Sequence, residues 1–295
     1  MEIIERFIAE KIVDLINSIL NASVEHYNII MKNAIDLLKQ SPENWNGGSG
    51  WSLMNTVNTG FIALGSTLMV IFWLIKLCED NLDIRSVMRP ETMIKELTIL
   101  VIGEWFVVSS FKIFASLFGI VDYLTKAITP SSSSANITLP GTAMQYINSL
   151  ASETDPKGME ALFVLMLTAI VLLFYHAIPC VVCYYAYIRM FKVLIVAPYG
   201  SLVTSTFAGS HGIKHSTVSF FKYALTVLLE AVTMMMIIRL SSVLISSGNV
   251  SIIPYGEISD LGSYIAWMVQ SICLMLVMVG GIKESSIITQ RIIGS

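Results

Sequence analysis

Three ionisable side chains, Glu104, Lys112 and Glu230, stand inside long apolar runs. A charge within a membrane span is costly and faces the bundle interior or water, so such residues suit a proton or ion relay. Their plainer role is pairing between helices, or contact with water at a subunit seam. Glu104 and Lys112 are eight positions apart, close to one helical face. A second group, His176, Cys180 and Cys183, follows i, i+4, i+7 spacing and shares a face. Imidazole and thiolate are zinc ligands, but no fourth ligand is evident, and a free cysteine commonly packs as a small hydrophobe. The chain has no phosphate-cradling glycine-lysine loop, no His-Glu-x-x-His pattern and no serine nucleophile elbow. Gly47-Gly48-Ser49-Gly50 reads as a linker. No catalytic, metal or cofactor site is therefore expected, and the chain is not expected to be an enzyme. Without a nucleotide motif it cannot drive work by itself.

The elements that position these groups follow from composition. The chain has 295 residues, 55% hydrophobic and 13% charged, with a mean hydropathy of +0.71. Soluble domains are about a quarter charged, and several windows here exceed the length a bilayer crossing needs. The expected class is an all-α polytopic membrane protein with about five spans, at 52–78, 97–126, 160–188, 217–245 and 261–283. The cysteines Cys78, Cys180, Cys183 and Cys273 lie in or beside apolar segments, which argues against a disulfide framework. Pro179 is a candidate kink in the third span. Ala115 and Gly119 form a small-residue packing pair in the second.

Between the third and fourth spans, small residues recur on one helical face at Ala197, Ser201, Ser205 and Gly209. A second row beside it holds Gly200, Thr204, Ala208 and Gly212. Such rows let another backbone approach closely, the usual device for helix packing in lipid. Ala197, Gly200, Ser201, Thr204, Ser205 and Gly209 are thus candidates for a packing, assembly or pore-facing seam. The basic residues Arg189 and Lys192 precede this stretch and Lys214 follows it. The segment 193–212 is therefore expected to be a re-entrant or buried helical piece whose two ends face the same side.

Residues 1–50 are expected to form an extracytoplasmic segment apart from the transmembrane domain 51–295. Within it, residues 2–21 make an amphipathic helix with an apolar stripe through Ile4, Ile8, Ile12, Ile16 and Leu20, reinforced by Phe7, Leu15 and Ile19. A second helical pattern covers about 24–40, and a glycine-rich linker carries Trp45 and Trp51, read as interfacial anchors. The 129–156 segment is loop-like, with one short helix expected at 142–151. Lys and Arg gather after the first span, around 189–222 and at the C-terminus. The positive-inside rule then puts the C-terminus in the cytoplasm and the N-terminus outside.

Taken in order, the chain has an N-terminal helical arm, a tryptophan-flanked first span and a polar outer loop. A central Val193-to-Gly209 segment with Ala197-Pro198-Tyr199-Gly200 follows, then a long apolar run and a last span ending Gly280-Gly281. This layout resembles the TrbL-like inner-membrane subunit of type IV secretion and conjugation machines, in the form carried by Gram-positive conjugative elements. The resemblance implies a non-catalytic channel or scaffold subunit in a bacterial cytoplasmic membrane. It would be homo-oligomeric, embedded in the lipid bilayer, and would work with other secretion subunits, including separate ATPases, to move DNA or protein. It supplies no catalytic residue. The alternatives are a secondary transporter, motivated by Glu104, Lys112 and Glu230, or an ABC-exporter permease using 205–222 as a coupling helix. No internal repeat of the kind common in secondary transporters is visible.

Overall fold

The computed structural model describes residues 2–80, 90–128, 136–151, 157–247 and 258–294. Among these the chain forms seven α-helices and no strand. They are α1 (Glu2–Lys39), α2 (Ser49–Asp80), α3 (Pro90–Ile128), α4 (Gly141–Ser149), α5 (Gly158–Thr204), α6 (His211–Ser247) and α7 (Leu261–Ile293). Helices α2, α3, α5, α6 and α7 are long and apolar enough to cross a membrane, so the chain is a multi-pass helical membrane protein. The expected loop residues Pro130, Ser131 to Ser134, Glu153, Asp155 and Pro156 lie outside the described residues, as do Arg85, Arg89 and Glu257. The short helix expected at 142–151 is α4.

Two boundaries fall elsewhere than the sequence suggests. The patterns at 2–21 and 24–40 are one continuous helix, α1. Likewise 160–188 and most of 193–212 are one helix of 47 residues, α5. Residues 193–204 continue α5 without a break, so the segment is no separate piece. At about 1.5 Å per residue α5 is roughly 70 Å long, more than twice the ~30 Å of a bilayer's hydrocarbon core. Pro179 and Pro198 both lie inside it. Proline is tolerated within membrane helices when packing and hydroxyl side chains cover the freed carbonyls. Helix α5 then closes through a 3-10 turn, Ser205–Ala208, and Gly209. Residues 205–222, the candidate coupling segment of the exporter alternative, comprise this turn and the first turns of α6.

The described chain divides into two compact units, to which α5, α6 and α7 each contribute. The first holds 1–37, 128–186 and 234–284. Its α1 buries Ala9, Val13, Ile16, Leu20, Ser23, Tyr27 and Met31, a stripe rotated from the expected one. Ile16 and Leu20 are inside it, whereas Phe7, Ile8 and Leu15 are exposed. The covered face thus mixes Ala9 and Ser23 with large apolar side chains. Asn28 grips the extended segment before α4 at two points, donating Nδ2–H to the Ile137 carbonyl and accepting the Ile137 N–H. Tyr27 meets Tyr175 edge-on, and burial, then the neighbouring Tyr175, pushes the Tyr27 phenol above its ordinary range. His26 stacks on His176 with ring centres 4.5 Å apart. On α7, Gly281 lies against Ile237 of α6, and Tyr264 shares a hydrogen bond with Thr168.

The second unit holds 38–127, 187–233 and 285–295. The turn into its α2 uses left-handed backbone at Asn46, Gly47 and Gly48, where glycine is the natural choice. Trp45 packs on Tyr187 and Phe191, and Trp51 on Phe111 and Phe118. Both tryptophans thus fill helix contacts in this unit, a packing role beyond that of interfacial anchors.

Candidate functional site

The small-residue row of α5 is the seam of the second unit. Ala197, Ser201, Thr204, Ser205 and Ala208 are fully buried, as are Gly200 and Gly209, while Gly212 is exposed. On α2, an added β-carbon at Gly65 would lie 2.5 Å from the Ser201 carbonyl oxygen. Backbones of α2 and α5 therefore touch at a distance only glycine permits. An added β-carbon at Gly200 would lie 3.3 Å from Ser110 Cβ on α3. The three helices meet around one hydroxyl. Ser201 Oγ donates to Asn58 Oδ1 at 2.6 Å, and Ser110 Oγ donates to Ser201 Oγ at 2.7 Å. All three side chains are buried, so each polar atom here must find its partner within the protein.

The rest of the row is satisfied locally. Thr204 donates to the Gly200 carbonyl and Ser205 to the Leu202 carbonyl. Thr206 and Thr217 pair across the turn. At Gly209 an added β-carbon would lie 2.9 Å from Ile213, so the turn into α6 depends on its absence. Ala208 closes a small apolar cluster with Met69 and Val107.

The three intramembrane charges do not form one constellation: among the described residues, none of them bonds to another. Glu104 accepts a hydrogen bond from Ser66 of α2 at 2.5 Å. Lys112 is exposed on α3. Glu230 on α6 is buried and takes Lys192 of α5 at 3.3 Å. Beside that pair stands Arg189, only 2% exposed, whose Nη2–H donates to the Leu228 carbonyl at 3.3 Å. Its Nε–H is buried with no partner among the described residues. Arg189 and Lys192, read from the sequence as the basic residues before a separate 193–212 piece, belong to one helix with it. They lie within α5, turned toward Glu230, because a buried carboxylate draws nearby cations inward. The sequence did hold a signal for this cluster, since a lone Glu230 in a span demands a partner. It did not name that partner, since Lys222 and Arg239 lie closer to Glu230 along the chain.

Two smaller groups complete the picture. Ala115 is half-buried, and Gly119 is exposed, with nothing among the described residues within 4 Å of an added β-carbon. His176 stacks on His26 and its Nδ1 bonds the Leu172 carbonyl, so the ring is engaged apart from Cys180 and Cys183. Among the described residues no three His, Cys, Asp or Glu side chains group as metal ligands.

The arrangement can hold helices in register and bury paired charge. Compared with known proteins, the chain matches no family model, and no curated protein or solved structure matches it significantly.

Proposed function

We propose that this chain is a non-catalytic, homo-oligomeric scaffold or channel subunit of a type IV secretion machine. In this reading it sits in a bacterial cytoplasmic membrane with its N-terminus outside and its C-terminus in the cytoplasm. It works with separate ATPases that supply the energy for moving DNA or protein. The observation that carries the reading is the division of labour between its helices. The small-residue face of α5 is spent on internal packing, while only 11% of the apolar stretch of α2 and 28% of that of α3 is buried. A chain built so offers a rigid inner seam and broad outer helix faces for neighbours, as an assembly subunit requires. The TrbL-like layout, an N-terminal arm before the spans and a closing Gly-Gly in the last, points the same way.

Deleting the gene from a donor that carries the element tests the role. DNA transfer is lost while nicking of the transfer origin continues; unimpaired transfer rejects the proposal. A secondary transporter is the second reading, favoured by the buried Arg189, Lys192 and Glu230 group. Purified protein that catalyses ion-coupled solute uptake in liposomes, lost in Glu230→Gln, would establish it instead.

A further inference from the structure

Within the second unit, a cavity of about 10 Å³ lies between the end of α1, α3 and α5. Its walls include Lys39 and Ser41, then Phe118, Val121 and Asp122 of α3, and Arg189 of α5. Arg189 is the group that lacks a partner. It is 2% exposed, its Nη2–H goes to the Leu228 carbonyl, and its buried Nε–H meets no acceptor among the described residues. A guanidinium stays protonated inside a protein, so it cannot shed the demand by losing its proton. Buried N–H groups almost always find an acceptor in the protein or in ordered water.

Asp122 is the carboxylate on the same walls. Its Oδ2 holds Lys126 at 2.6 Å, and a carboxylate offers about four acceptor positions, so capacity remains. Among the described residues no ion pair joins it to Arg189. Size and charge then select what sits between them. One water needs about 10–15 Å³, and the cavity has no room for anything much larger. Cavities that stay dry have apolar walls, whereas this one has a guanidinium, a carboxylate and a hydroxyl. A small anion would face Asp122 and a cation would face Arg189, each a like-charge contact. A neutral molecule that accepts on one side and donates on the other suits both.

We infer that the cavity binds one water molecule, which accepts the Arg189 Nε–H and donates to the Asp122 carboxylate. The water gives Arg189 a second anchor, on α3, besides the Leu228 carbonyl on α6. It makes Asp122 a positioning residue for a charge that it does not touch. The site stands apart from the secretion reading and from whatever the assembly transports.

Filling the cavity tests it, by reversible unfolding of the full-length protein in mixed micelles. Val121→Ile adds one methylene to the wall. In a dry cavity that group would gain packing and stabilise the fold. Here it expels the water, strands the Arg189 donor and shifts the unfolding equilibrium about tenfold toward the unfolded state. In an Arg189→Met background the donor is gone, and the same substitution is neutral or stabilising. Stabilisation of the parent by Val121→Ile would overturn the site. So would an equal loss in both backgrounds, the mark of overpacking alone.

A second measurement leaves Arg189 in place. Asp122→Asn and Asp122→Leu both lose the exposed Lys126 pair, which contributes little, but only asparagine keeps an acceptor. Asp122→Asn therefore stays within about twofold of the parent, and Asp122→Leu loses about tenfold. Equal losses would remove Asp122 from the site. A density map of the protein in lipid nanodiscs shows one spherical feature about 2.7–3.2 Å from both Arg189 Nε and an Asp122 oxygen. Direct contact of Arg189 with Asp122, or a cavity without that feature, would overturn the proposal.

Discussion

Ser201 of α5 donates its hydroxyl hydrogen to the Asn58 side chain of α2 across 2.6 Å, joining residues 143 positions apart. With Ser110 at 2.7 Å the contact ties three helices at one buried point. Replacing Ser201 by alanine strips Asn58 of its donor and costs about 1–2 kcal/mol, the scale of hydrogen bonds between membrane helices. Ser201→Leu and Ser205→Leu cost more, because each fills space the seam lacks, by about 1–3 kcal/mol beyond the lost bond. Reversible unfolding in mixed micelles measures both, and a Ser201→Leu protein as stable as the parent would deny the seam.

Gly65 and Gly119 form a matched comparison. Gly65→Ala thrusts a β-carbon to 2.5 Å from the Ser201 carbonyl oxygen, whereas Gly119→Ala meets nothing within 4 Å. The first destabilises by about 1–3 kcal/mol as α2 and α5 are forced apart. The second is neutral or stabilising by up to about 1 kcal/mol, since alanine favours helix over glycine. Equal melting shifts for the two would refute the close approach.

Glu230 is the anion that holds Lys192, and the guanidinium of Arg189 lies against Leu228 on the same helix as Glu230. Glu230→Leu leaves the fully buried Arg189 guanidinium uncompensated and costs about 3–5 kcal/mol. Adding Arg189→Met restores much of that loss, because both charges are then gone and the side chains refill the space. Lys192→Ala costs less, since the Lys192 side chain is more than a third exposed and solvent already screens it. A double variant no more stable than Glu230→Leu alone would show that the two charges are not coupled.

Asp260 caps α7. Its carboxylate accepts the Ser263 N–H at 2.8 Å, and hydrogen bonds from the Ser263 side chain and then its backbone hold its carboxyl below the ordinary carboxylate range. A depressed folded-state value means that the cap contributes at all pH above the ordinary range and is lost as pH falls through the folded one. Hydrogen exchange at the first turn of α7 therefore quickens only in acid below the usual carboxylate value of about 3.9. In Asp260→Ala it is fast at every pH. A protected first turn in that variant would rule out the cap.

Burial sorts the α1 stripe and the Arg189 group in the same way. Ile8 and Leu15 have the right periodicity yet face outward, whereas Arg189, counted by its charge as a loop residue, is buried. In both cases the deciding quantity is the shape and charge of a surface contributed by distant segments. Single-helix periodicity carries no record of that surface. Of the candidate site residues, the α5 row was legible because small side chains at every fourth position have few other uses within an apolar run. The pairing of Glu230 with Lys192, and of Glu104 with Ser66, was not, because each partner lies 38 positions away.

The amino-acid sequence by itself determined the helical membrane class, the five apolar stretches and the small-residue character of the 197–209 row. Each follows from local hydropathy, length or side-chain size. Only the tertiary structure decided that α1 and α5 run unbroken, which face of α1 is covered, and that Arg189 and Lys192 turn inward to Glu230. It also decided that Gly65 is the glycine α5 leans on. Those outcomes depend on backbones and charges brought together from far along the chain, where contact free energy outweighs local preference.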